Sequence, residues 1–173
     1  MDSLFCRMPT DLWLFSMDGG GVATGGNQFP INAGAARHWA FWLGTPGAPG
    51  SVPVGELYHI VKDGSNHVRF QYRGIQPWEI HSIRNGTIFQ LTADLTYRNF
   101  QAMCQEVFNG MEPYNAFNNN CQDWCCDVLD RLHYNGWIIE HPSQQMKDNK
   151  FTRMSDYVGA RVAGVVMNTF GRR

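Results

Sequence analysis

The chain has 173 residues, 43% of them hydrophobic and 13% aromatic, which is enough for one buried core and close to the usual size of a single domain. Fourteen basic residues against fifteen acidic ones give a net charge of −1. Because the charges form no run of one sign, we do not expect nucleic acid as a partner.

The N-terminal residues and the cysteines bear on cellular location. Residues 1–7 lack a basic region followed by an apolar stretch, so they do not predict a secretory signal, and we expect a cytoplasmic protein. Five cysteines are an odd number, and none forms a Cys-x-x-Cys pair. This pattern predicts that the thiols are reduced. We therefore expect no disulfide framework, no bound metal and no other cofactor.

β-prone segments bounded by Gly, Asn or Pro fill the first half of the chain and predict a meandering antiparallel sheet. The predicted strands are residues 10–17, 37–43, 56–62, 67–72, 78–83 and 87–91. Residues 18–34 are rich in glycine, which is typical of a loop. We expect this loop to lie as a flap beside a site.

Apolar residues recur at helical spacing beyond Thr92. The first predicted helix has Asp94 as its N-cap and ends at Asn109-Gly110. The second begins at Asn119 or Asn120 and ends at Asn135-Gly136. The sequence therefore predicts an α+β protein in which the helices pack against the sheet.

The C-terminal third of the chain has weaker signals. Residues 137–139 predict a short strand or an apolar plug, and the polar residues 141–150 predict an exposed segment. Residues 154–170 have the pattern of a third, amphipathic helix. Arg161 and Asn168 interrupt its apolar sequence, so its continuous apolar run is too short to span a membrane.

A possible nucleophile lies at the start of the second predicted helix. Residues 118–124, Asn-Asn-Asn-Cys-Gln-Asp-Trp, carry Cys121 from a polar loop into the first turn. Free N–H groups at a helix N-terminus lower a cysteine pKa, and the thiolate is the reactive form. A cysteine nucleophile needs a base and a group that orients the base. His38 and His59, on two strands predicted to pair, are the candidates.

Three motifs follow one another in a characteristic order. Arg37 to Gly44 (Arg-His-Trp-Ala-Phe-Trp-Leu-Gly) precedes Leu57-Tyr58-His59-Ile60, and Tyr114 precedes Asn120-Cys121-x-x-Trp124. Over residues 36–132 the chain resembles the circularly permuted NlpC-like thiol enzymes, whose best-known branch is the lecithin:retinol acyltransferase family. The Asn-Cys-Gln-x-Trp form is similar to that of small fungal proteins.

The resemblance implies one permuted papain-like domain over residues 1–173 and an acyl transfer through a thioester. In it Cys121 is the nucleophile, His38 the general base and acid, and His59 the group that orients His38. The enzyme would be a hydrolase or acyltransferase acting on an amide, thioester or ester of a small molecule, peptide or acyl carrier. Gln122-Asp123-Trp124 replaces the Glu-His-Phe of the lipid-acting members, so the acyl group is not defined.

The backbone N–H of Cys121 is the expected oxyanion donor, and a second donor is either Gln122 or an asparagine of residues 118–120. The predicted substrate-binding or oxyanion residues are Asn120, Gln122, Trp39 and Trp124.

Each candidate also has a structural interpretation. Cys104, Cys125 and Cys126 have apolar neighbours in their helices, which favours a role as small buried hydrophobic residues. The tryptophans are most simply interpreted as core residues or pocket walls. We assign no role to the remaining histidines, which are His67, His81, His133 and His141. The alternative function is a non-catalytic module that binds a small molecule or a partner and retains the fold.

Overall fold

The structure is a computed structural model that describes residues 9–17, 38–45, 54–62, 67–75, 86–92, 95–114 and 119–148. These residues form an α+β fold with one five-stranded antiparallel sheet and three helices. The strands are β1 (Asp11–Met17), β2 (His38–Thr45), β3 (Val54–Lys62), β4 (Val68–Gly74) and β5 (Thr87–Gln90). The helices are α1 (Tyr97–Asn109), α2 (Cys121–Tyr134) and α3 (Pro142–Asp148).

The strand order is β4-β3-β2-β1-β5, with every neighbouring pair antiparallel. The predicted meander is therefore confirmed for β1 to β4, whereas β5 pairs with the outer edge of β1. The predicted strand 78–83, the flap 18–34 and the helix 154–170 lie outside the described residues.

The two faces of the sheet have different neighbours, because side chains alternate along each strand. One face presents residues such as Trp39, Phe41 and Tyr58 to α1 and α2, and together they form the main core. The ring of Phe41 lies 5.7 Å from that of Trp124 in α2. The opposite face carries a smaller buried cluster, which comprises Phe15, Ala40, Trp42 and Leu57.

Two glycines allow the Trp42 indole to lie flat on this second face. Gly44 and Gly55 are paired across β2 and β3. A Cβ on Gly44 would meet the Trp42 ring and lie 2.5 Å from the carbonyl oxygen of Val54, and one on Gly55 would lie 2.8 Å from the Trp42 ring. The glycine near the end of the His-Trp strand therefore has a packing role.

The capping residues of α1 differ in part from the prediction. Thr96 is the N-cap, and its hydroxyl accepts a hydrogen bond from the Asn99 backbone N–H at 3.1 Å. The prediction of Asp94 as N-cap was wrong, because the helix begins two residues later, where the Thr96 hydroxyl provides the capping oxygen. The predicted end at Asn109-Gly110 is confirmed.

The residues after α2 contain more regular secondary structure than their polarity suggested. α2 ends at Tyr134 with Asn135 as its C-cap, and Gly136 has a φ of 68°, which favours glycine. Ile138 forms an isolated antiparallel bridge with Leu91, as predicted for a short strand. The prediction that residues 141–150 are an exposed polar segment holds only in part: His141, Ser143 and Gln144 are exposed, but α3 begins at Pro142 and buries Met146 in the main core. No helix among the described residues is long and apolar enough to cross a membrane.

Candidate active site

α2 begins at Cys121, and its first turn is built by a reciprocal cap. The Asn120 side-chain oxygen accepts a hydrogen bond from the Gln122 backbone N–H at 2.7 Å, and the Asp123 carboxylate accepts one from the Asn120 N–H at 3.1 Å. This capping box fixes the direction in which the helix leaves the preceding loop. The prediction that this helix starts at Asn119 or Asn120 is confirmed, with Asn120 as the N-cap.

Cys121 points into the protein. Its exposed fraction is 7%, and it belongs to the main core cluster. Cys121 therefore lies on the apolar side of its helix, although a polar loop precedes it. Trp124 and Cys125 follow within one turn, and the buried side of α2 already includes its first residue.

Three backbone N–H groups surround the Cys121 sulfur: those of Trp39, Gln122 and Cys121 itself. Each stabilises a thiolate, but burial acts in the opposite direction and dominates, with a smaller contribution from the Asp123 charge, so the pKa of Cys121 is raised. The expected lowering of this pKa by the helix N-terminus was therefore wrong. At neutral pH the resting residue is a thiol.

The two histidines are adjacent in space. His38 Nε2 lies 3.2 Å from His59 Nδ1, and the ring centroids are 5.4 Å apart. His59 is 5% exposed, whereas His38 is half-buried. Because Nε2 of His38 is engaged with His59, its Nδ1 is the nitrogen available for a proton transfer.

Burial lowers the pKa of His38 to about 4. The His59 partner is another imidazole and not a carboxylate, so it adds no negative charge that would favour an imidazolium. At neutral pH the His38 imidazole is therefore neutral. The resting site therefore lacks a thiolate–imidazolium ion pair.

His38 and Cys121 belong to opposite faces of the sheet. His38 alternates with Trp39, so its side chain leaves β2 on the face opposite the main core, as does that of Ala40. The β2–β3 pairs end at Phe41 and Tyr58, so residues 38–40 extend beyond the last pair. The Trp39 N–H meets the Cys121 sulfur in this end segment of β2.

The other predicted site residues are all close to the start of α2 or to β2. Trp39 is 1% exposed, Trp124 is fully buried, and Asn120 and Gln122 are 5% and 3% exposed. The Trp124 indole N–H donates to the Cys104 carbonyl at 3.3 Å, so this side chain has a structural role. The Gln122 backbone N–H faces the sulfur, whereas Asn120 serves as the cap. Asn118 lies outside the described residues.

Tyr114 is a site residue to which the sequence analysis assigned no role. Its phenol oxygen accepts a hydrogen bond from the Cys121 backbone N–H, while burial raises the pKa of Tyr114 to about 12, with the nearby Cys121 as the next cause. A protonated phenol thus lies beside the N–H expected to bind an oxyanion. Its position ahead of the Asn-Cys motif was the only sequence signal for it.

The remaining thiols fit a structural interpretation. Cys104 and Cys125 are buried, as predicted, while Cys126 is only partly buried, and none of the four cysteines in the described ranges is in a disulfide. No group of three or more His, Cys, Asp or Glu side chains in those ranges is arranged to hold a metal ion. Comparisons with protein-family models, curated proteins and solved structures found no match.

Proposed function

We propose that the protein is a cysteine-dependent acyl-transfer enzyme, a hydrolase or acyltransferase with a permuted papain-like architecture, which works through an acyl-Cys121 intermediate. The observation that carries the proposal is the convergence at the start of β2. The Trp39 N–H faces the Cys121 sulfur, and the residue before it, His38, is hydrogen-bonded to His59.

The neutral resting state favours general-base catalysis. In the productive tautomer His38 Nε2–H donates to His59 Nδ1, which leaves Nδ1 of His38 with a lone pair. As the Cys121 sulfur bonds to the substrate carbonyl carbon, its proton moves to this nitrogen and the carbonyl electron pair moves to oxygen. The hydrogen bond to His59 persists in the imidazolium, so His59 stabilises the charge that forms.

The tetrahedral intermediate then collapses to the acyl-enzyme. The electron pair returns from oxygen, the leaving group departs with the proton of His38, and a thioester remains on Cys121. Water or an acceptor hydroxyl or amine then attacks the thioester, with His38 again as the base. The Tyr114 hydroxyl and the Cys121 N–H are the donors that support an oxyanion in this proposal.

A burst experiment tests the proposal. The protein is mixed with p-nitrophenyl esters of acetate and hexanoate and with the matching thioesters. Released nitrophenol or nitrothiophenol is followed while intact mass and peptide mapping locate the acyl group. We expect a burst of at most one equivalent and acylation at Cys121. Cys121→Ser should abolish both.

Cys126→Ser provides the matched control, since it removes a partly buried thiol from the same helix. It should acylate as the wild type does. His38→Gln should slow acylation of Cys121 by about 100-fold or more, in the range of general-base contributions. Acylation that is unaffected by His38→Gln, or that occurs at Cys126, would contradict the proposal.

A non-catalytic binding module is the second candidate, and the neutral, buried thiol favours it. Such a module would bind acyl compounds without a burst and without a covalent adduct. Its binding would also persist in Cys121→Ser, which separates the two functions in a single set of samples.

A further inference from the structure

His133 and His141 lie together on the surface, at a site that the acyl-transfer proposal does not use. His133 is in the last turn of α2, and His141 directly precedes α3. Both side chains are exposed, yet their ring centroids are only 5.0 Å apart with an interplanar angle of 59°. The sequence alone gives no reason to pair them, since eight residues separate them.

This spacing matches two imidazoles that share a metal ion. With a metal–nitrogen bond of about 2.0–2.1 Å and a ring centre about 1.1 Å beyond the nitrogen, tetrahedral ligands have centroids about 5.2 Å apart. A right angle between the bonds gives about 4.5 Å by the same geometry. The observed 5.0 Å lies between these values.

The local charges also suit a cation. His133 is at the C-terminal end of α2, where the carbonyl groups carry partial negative charge. The nearest basic residue in that turn, Arg131, forms an ion pair with Glu106 of α1 at 3.3 Å. The Glu140 carboxylate accepts a hydrogen bond from the Gln90 backbone N–H, so it is directed to β5.

We propose that His133 and His141 form a surface site for a divalent transition-metal ion of the Ni²⁺, Cu²⁺ and Zn²⁺ class. Imidazole nitrogen is a preferred ligand for these ions, and water fills the other coordination positions. The His141 carbonyl accepts hydrogen bonds from the Gln144 and Gln145 N–H groups at 3.1 Å. A bound ion therefore ties the end of α2 to the residue that caps α3.

The experiment titrates the full chain with Ni²⁺ and Zn²⁺ and records imidazole ¹H–¹³C NMR spectra, with signals assigned from His→Ala variants. Paramagnetic Ni²⁺ should broaden the His133 and His141 signals first and together. Zn²⁺ at tenfold above Kd should raise Tm by about 4 °C for a chain of this size. Mg²⁺ should neither broaden the histidine signals nor raise Tm.

His133→Ala and His141→Ala should each weaken Ni²⁺ binding by at least tenfold, while the exposed His67→Ala should leave it unchanged. Single variants that bind Ni²⁺ as the wild type does would overturn the site. Broadening of another histidine's NMR signals before those of His133 and His141 would also overturn the site. The acyl-transfer proposal does not depend on either result, since the Cys121 burst is measured without added metal.

Discussion

His38 Nε2 and His59 Nδ1 lie 3.2 Å apart, although 21 residues separate them in the chain. The contact joins a half-buried imidazole to a buried one, and it determines which nitrogen of His38 can exchange a proton. In the proposed enzyme His59 is a positioning residue, because it acts on the substrate only through His38.

His59→Ala should lower kcat/KM for Cys121 acylation by about 10- to 100-fold, because His38 loses the acceptor that selects its tautomer. His59→Gln presents a carboxamide oxygen in a similar place and should recover most of the loss. Ester kinetics of the three proteins provide the measurement. Equal losses in both variants would indicate a packing role for His59.

Activity should have its acid limb near pH 4. The base form of His38 is neutral, and burial lowers its pKa to about 4, so protonation removes the base only below that pH. The rate should rise between about pH 3.5 and 5 and then be nearly flat to pH 8. An acid limb near pH 6.5 would instead point to a solvent-exposed histidine.

The same pKa shift predicts a stability change. Between about pH 4 and 6.5 the unfolded chain binds a proton at His38 that the folded chain does not bind. This contribution to stability is fully present above pH 6.5 and is lost as pH falls to about 4. From pH 7 to 4.5 the wild type should lose about 2–3 kcal/mol more than His38→Gln, measured by urea unfolding. Parallel losses in the two proteins would contradict the shift.

Gly44→Ala should destabilise the protein by about 1–3 kcal/mol, because the new methyl group overlaps the Trp42 ring and the Val54 carbonyl. Gly74→Ala is the matched control in another strand. A Cβ at Gly74 has no atom within 4 Å. Urea midpoints of the two variants give the comparison, and a Gly44→Ala midpoint equal to that of Gly74→Ala would refute the packing role.

Asp123→Asn should increase the rate at which iodoacetamide alkylates Cys121 at pH 8 by about two- to tenfold. The Asp123 charge contributes to the raised pKa of Cys121, and the amide retains an oxygen that can accept from the Asn120 N–H. Asp130→Asn removes an exposed charge from the same helix and should leave the rate unchanged. An equal increase in both variants would mean that only net charge matters.

Local patterns in the sequence determined most elements of the fold. Alternating aromatic residues defined β2, and the asparagine before Cys121 defined the start of α2, because a strand face and a helix cap each depend on a few neighbouring residues. The cap of α1 and the helix α3 were predicted incorrectly. For α3 the polarity of the segment was a weaker signal than its packing, as the buried Met146 illustrates.

The sequence by itself determined the chemical types at the candidate site: a thiol at a helix start and imidazoles on two neighbouring strands. Only the tertiary structure decided their protonation, since burial depends on everything packed around Cys121 and His38. It also brought Tyr114 to the Cys121 N–H and His133 to His141. Contacts of this kind depend on how loops and helix ends return to each other in space, which no local pattern of residues encodes.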